Sequence, residues 1–167
     1  MPDETFDYRD LLKQPMSNFP DRPNLPGNKT FYGKLIGMSS TLSTVKQTPG
    51  LRLEIKLTEP GNDVPREATD MIAAAGFSLA DYPVGKSFWI TSNSMIFLRR
   101  FLLSLGFPEN ASFAEILKLD EHGIPTAETQ DVIRGLDVMV VTPLADEQGR
   151  VFLNNVENVT GMRRKVA

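Results

Sequence analysis

Leu51-Arg52-Leu53-Glu54-Ile55-Lys56-Leu57 alternates aliphatic and charged residues without a break. A period of two puts the four aliphatics on one face and Arg52, Glu54 and Lys56 on the other. That is a strand with one side in a core and one in water. Upstream, Thr30-Phe31-Tyr32-Gly33-Lys34-Leu35-Ile36 is rich in β-formers and predicts a first strand. Between them, Gly37 and the Ser/Thr-rich run from Ser39 to Gly50 read as a long loop ending in a Pro49-Gly50 turn. The two strands therefore form an antiparallel hairpin.

Downstream, Glu59-Pro60-Gly61-Asn62 is a turn, and Ala68 to Ala75 predicts a short helix stopped by Gly76. Gly85 to Thr91 is a third strand. A helix capped by Ser92 or Asn93 then runs to Leu105 and stops at Gly106. Its apolar positions cover most of the circumference, so it should be largely buried. Ser112-Phe113-Ala114-Glu115 is a capping box opening a second helix of this block. Thr126 to Arg134 is a third, ended by Gly135. Leu136 to Thr142 and Val151 to Val159 are the last strands, joined by the turn Ala145 to Arg150.

The first 28 residues differ in texture. Pro2, Pro15, Pro20, Pro23 and Pro26 make residues 1–28 an arm, in which Phe6, Tyr8, Leu11 and Leu12 form either a docked helical turn or part of a loose tail. Residues 29–160 hold the domain, and 161–167 are a basic tail with Arg163, Arg164 and Lys165. The order strand, strand, strand, helical block, strand, strand is α+β, mostly β. It matches the OB-fold, a five-stranded Greek-key barrel with helix between strands 3 and 4, although other small α+β folds give the same string.

Composition narrows the function. The chain has 167 residues, 41% of them apolar and 23% charged, which suits one globular domain. With no cysteine and one histidine, disulfides, Cys-ligated zinc, iron–sulfur clusters and multi-His metal sites are excluded. No run reaches the roughly 20 apolar residues of a membrane span, since Arg99 and Arg100 break the longest one. The acidic start, Met-Pro-Asp-Glu, is unlike a secretory leader, and a cytoplasmic location is expected. No phosphate-binding, nucleophile-elbow or zinc-protease motif occurs. Asp120-Glu121-His122 reads as a solvated turn before Gly123 rather than an acid/base or metal site. The expectation is a protein that is not an enzyme and takes no cofactor.

Charge points instead to binding. The net charge of −3 conceals an asymmetry: residues 29–58 carry net +4, residues 109–147 net −7. Tyr32 and Lys34 share one face of strand 1, opposite Phe31 and Leu35; Arg52 and Lys56 share one face of strand 2. If these are the solvent faces, a ring lies among cations, the combination that single-stranded nucleic acid requires. Trp89, between Phe88 and Ile90, fits a core position more readily than a stacking platform but is a candidate for either.

The chain resembles a family of small phage-encoded single-stranded DNA-binding proteins with an OB-fold. The residues carrying the resemblance span about 25–160. They are Leu25-Pro26-Gly27 leading into Phe31-Tyr32-Gly33-Lys34-Leu35, the strand Leu51–Leu57 after the Lys46-Gln47-Thr48-Pro49-Gly50 loop, and Leu103-Ser104-Leu105-Gly106. They continue with Gly135-Leu136-Asp137-Val138-Met139-Val140 before Asn154-Asn155-Val156-Glu157-Asn158-Val159. The resemblance implies non-sequence-specific binding of single-stranded DNA, with RNA as an alternative, in phage replication or recombination in the host cytoplasm. It places the groove on strands 1–3 with the strand 1–2 and 4–5 loops, which names Lys34, Lys46, Arg52, Lys56 and Arg150. Tyr32 and Trp89 complete the candidate set. Replication or recombination proteins are expected partners, and the arm or helical block an expected surface for self-association. The competing expectation is a structural or adaptor protein, such as a virion component or a protein–protein module, built on the same small β-barrel.

Overall fold

The alternating stretch lies in the middle of β2 (Pro49–Pro60), and its four aliphatics are all buried. β1 (Thr30–Leu42) pairs antiparallel with it and runs six residues past the predicted end. The expected long loop is therefore only Ser43 to Thr48. Polar Ser39 to Thr41 are held in the strand by their partners Gly50 to Arg52, not by their own β propensity. β1 bulges between Tyr32 and Gly33 and between Leu35 and Gly37, yet Phe31, Leu35 and Met38 all face the core. Tyr32 and Lys34 face out.

β3 (Pro83–Trp89), β4 (Asp137–Val141) and β5 (Asn158–Gly161) complete one antiparallel sheet in the order β3-β2-β1-β4-β5. This computed structural model describes residues 8–18 and 21–162. The sheet is not closed into a barrel, because no ladder joins β3 to β5. The expected long last strand is reduced to four residues, since Val151 to Glu157 leave the strand path to cross toward β3. There Gly85 N donates to Leu153 O (2.9 Å) and Val156 N donates to Gly85 O (2.9 Å). The approach is close at Gly85: a Cβ there would displace the Arg52 guanidinium and lie 3.0 Å from Asn154 O.

Helices fill the gaps. α1 (Tyr8–Leu12) lies in the arm, with Leu11 and Leu12 exposed. Phe6 and the tail Arg163-Arg164-Lys165 lie outside the described residues. Packing on the sheet begins before Lys29: Leu25 is buried, Tyr82 donates to Pro23 O, and the buried Thr142 hydroxyl donates to Pro26 O. α2 (Arg66–Ala74) follows β2. α3 (Met95–Ser104) packs across β3 and β5, α4 (Phe113–Leu117) follows it, and α5 (Ala127–Ile133) packs on β1. Gly76, Gly106 and Gly135 take positive φ just past three of these helices, as stops should.

Two helix expectations fail in detail. α3 starts after Ser94, not at Ser92 or Asn93, and no side chain caps it. It is also not largely buried. Leu98, Phe101 and Leu102 are buried and Met95 packs partly buried against the core, leaving Ile96 42% and Phe97 57% exposed, because the helix leans on the sheet edges along one face. At α4, Ser112 Oγ accepts from Glu115 N (3.1 Å) without the return bond of a full capping box.

Candidate nucleic-acid interface

Sheet register decides which face each candidate occupies. Trp89 pairs with Gly50 on β2, and Ser87 pairs with Arg52, so Trp89 stands on the outer face with Arg52 and Lys56. It is half-buried, not a core residue. The core position that its apolar neighbours suggest for Trp89 fails because the face is set by Gly50 across the ladder. A Cβ at Gly50 would come within 2.7 Å of the indole, so the ring lies directly on the glycine backbone. Beside it, the β1–β2 loop brings exposed Lys46 and Val45 over a hollow of about 380 Å³ shared with Trp89, Thr91 and Ser94.

The rest of the outer face is different. Lys34 stands directly opposite Lys56, and its Nζ is 2.8 Å from Asp137 Oδ1. Asp137 comes from the acidic half of the chain, so a charge separation visible in sequence is cancelled in space. Arg52 is more firmly held. Its Nε contacts Glu54 Oε1 (3.1 Å) and its Nη1 donates to Asn154 O (2.6 Å), tying β2 to the chain before β5. Lys56 is exposed and makes no ion pair among the described residues. Tyr32 is half-exposed between Glu59 and Met139 and shares a separate hollow of about 600 Å³ with Lys34, Glu59 and Asp137.

Arg150 sits at the β4–β5 turn. Asp146 accepts from its backbone N (2.8 Å) and its Nε (2.8 Å), and these bonds hold the Asp146 carboxyl below its ordinary value. The Arg150 guanidinium also lies over the exposed Phe152 ring, 5.5 Å from its centroid. The structure thus brings Lys46 and Trp89 together at one end of the outer face and Tyr32 and Lys34 at the other. Arg52 lies between them and Arg150 on a loop of its own. Sequence reasoning missed Phe152, Phe97, Arg100 and Lys86. A Phe-x-x-Arg spacing on α3 was the available signal for Phe97 and Arg100.

Elsewhere, Asp120 Oδ1 accepts from His122 N (2.8 Å) and Ile124 N (2.9 Å), as a turn residue does. No group of three or more His, Cys, Asp or Glu able to hold a metal occurs among the described residues. No helix among them is long and apolar enough to cross a membrane. No protein-family model matches this chain, and no curated protein aligns with it significantly.

Proposed function

We propose that this chain binds single-stranded DNA without base specificity, across the outer face of β1, β2 and β3 at the end marked by Trp89. The observation that carries the reading is Trp89 itself: a half-buried indole laid on a glycine, on the solvent side of a sheet, beside Lys46, which makes no ion pair among the described residues. A ring so placed offers a base one free face, and stacking there is worth about 1–3 kcal/mol. Lys56 on the same face supplies a second free cation.

The topology supports an OB-type barrel left partly open. β1, β3 and β5 run in one sense and β2 and β4 in the other, and the chain before β5 meets β3 at Gly85 in β3's own sense. The helical block lies between β3 and β4, as in that fold. In this reading the protein is not an enzyme and serves phage replication or recombination in the host cytoplasm, together with proteins of those processes.

The chain has one tryptophan, so its fluorescence reports on the site directly. Titration with oligo(dT) should quench it, with affinity falling as salt rises. Neutralising two phosphates through Lys46 and Lys56 contributes about −1.4 to the log–log slope. Undetectable or salt-independent binding overturns the reading. Assembly that depends on the arm, with no oligonucleotide bound, would establish the adaptor function instead.

A further inference from the structure

α3 carries a feature that its packing does not explain. Phe97 is 57% exposed, and Arg100, one turn on, places its guanidinium 6.0 Å from the ring centroid. Both flank the buried Phe101 on one side of the helix and with it line a groove of about 660 Å³ between α3, β3 and β5. Trp89 forms part of the same lining, so the groove continues from the outer face of the sheet around its open edge.

Lys86 also lines the groove. Its position opposite Leu53 turns it to the inner side, and its Nζ donates to Val156 O (3.0 Å) and Glu157 O (3.4 Å). Burial lowers the pKa of its ammonium, while the nearby Glu157 charge raises it. Positive charge at that end is therefore balanced within the protein. Arg100 on the opposite wall makes no ion pair among the described residues. Asn155 accepts from Ser87 N through its Oδ1 (3.2 Å), and its amide nitrogen has no hydrogen-bond partner among the described residues.

We infer that this groove is a second nucleotide subsite, in which Phe97 stacks a base and Arg100 takes its phosphate, fed by the strand that passes over Trp89. The inference rests on the single-stranded DNA reading and extends it to a surface outside the β1–β2–β3 face. A free cation beside an exposed ring favours a phosphorylated aromatic ligand over an apolar peptide, which would leave the guanidinium without a counter-charge. The volume falls in the range that encloses a small ligand.

Phe97→Ala and Arg100→Gln, made separately in the full chain, test it by oligo(dT) titration at several salt concentrations, with thermal melting as the control. Phe97→Ala should weaken binding about 5- to 100-fold. Arg100→Gln should make the log–log salt slope shallower by about 0.7. Neither should shift the melting temperature, because both side chains are exposed. If the wild type binds and both variants match it in affinity and slope, the subsite is refuted and the Trp89 site stands. If the wild type does not bind oligo(dT), both readings fall. If Phe97→Ala changes only self-association, the groove is a protein contact and the inference is overturned.

Discussion

The outer face of the sheet uses its cations differently along its length. Away from Trp89, Lys34 is paired with Asp137 and Arg52 is bound to Glu54 and Asn154 O, while Lys56, opposite Lys34, makes no ion pair among the described residues. At the Trp89 end, Lys46 on the loop and Arg100 on α3 make no such pair among the described residues, and each lies beside a ring. Strand patterning shows that a cation faces water, not whether it is free. A held cation stabilises the fold; an unheld one is available to a phosphate.

The sharpest way to break this contrast is at the ring. Trp89→Ala should lower oligo(dT) affinity about 10- to 100-fold, as loss of one base stack implies, with Trp89→Phe retaining most of it. Equal affinity of the alanine variant and wild type in an anisotropy titration would remove the ring from the site. The next effect falls on Arg52. Its replacement by Met should cost about 1.5–3 kcal/mol of stability through its lost charged hydrogen bonds, read as a lower urea midpoint, and leave the salt slope of binding unchanged. Lys46→Gln should do the reverse, keeping the midpoint and making the slope shallower by about 0.7.

The smallest effect concerns acid. Asp63 accepts from Thr30 N (3.0 Å) and Thr30 Oγ1 (3.1 Å), which hold its carboxyl below the ordinary value of 3.8. With its folded pKa depressed, the unfolded chain takes up the proton first as pH falls. The stability it contributes is complete above 3.8 and drains away below it. Asp63→Asn should therefore flatten the acid side of the melting-temperature profile and leave the neutral region's pH dependence alone.

Much of the sheet was legible because periodicity is a local signal. Leu51 to Leu57 declared their face, so the outward placing of Arg52 and Lys56 followed. Tyr32 and Lys34 share a face opposite Phe31 and Leu35, but the local pattern leaves open which of the two meets water. What could not be read depended on residues far away in the chain. Lys34 is neutralised by Asp137, 103 residues on, and Arg52 is held by a carbonyl 102 residues on. Trp89 stands outside because Gly50 faces it. The last strand is short because Leu153 and Val156 spend their backbone groups on Gly85. α3 looked buried because its composition says nothing of how narrow a surface receives it.

The Gln130 side chain takes the place of a neighbouring strand at Met38: its Oε1 accepts from Met38 N (2.8 Å) and its Nε2 donates to Met38 O (2.8 Å). Beyond that clamp β1 is paired with β2 alone, but β2 stays laced to β3 as far as Gly50 opposite Trp89, and Ile90 N donates to Pro49 O (2.8 Å). The overhang past the sheet is therefore only Ser43 to Thr48. Lys46 rides on it, so its ammonium stands near the indole from a short loop whose two ends are both tied down.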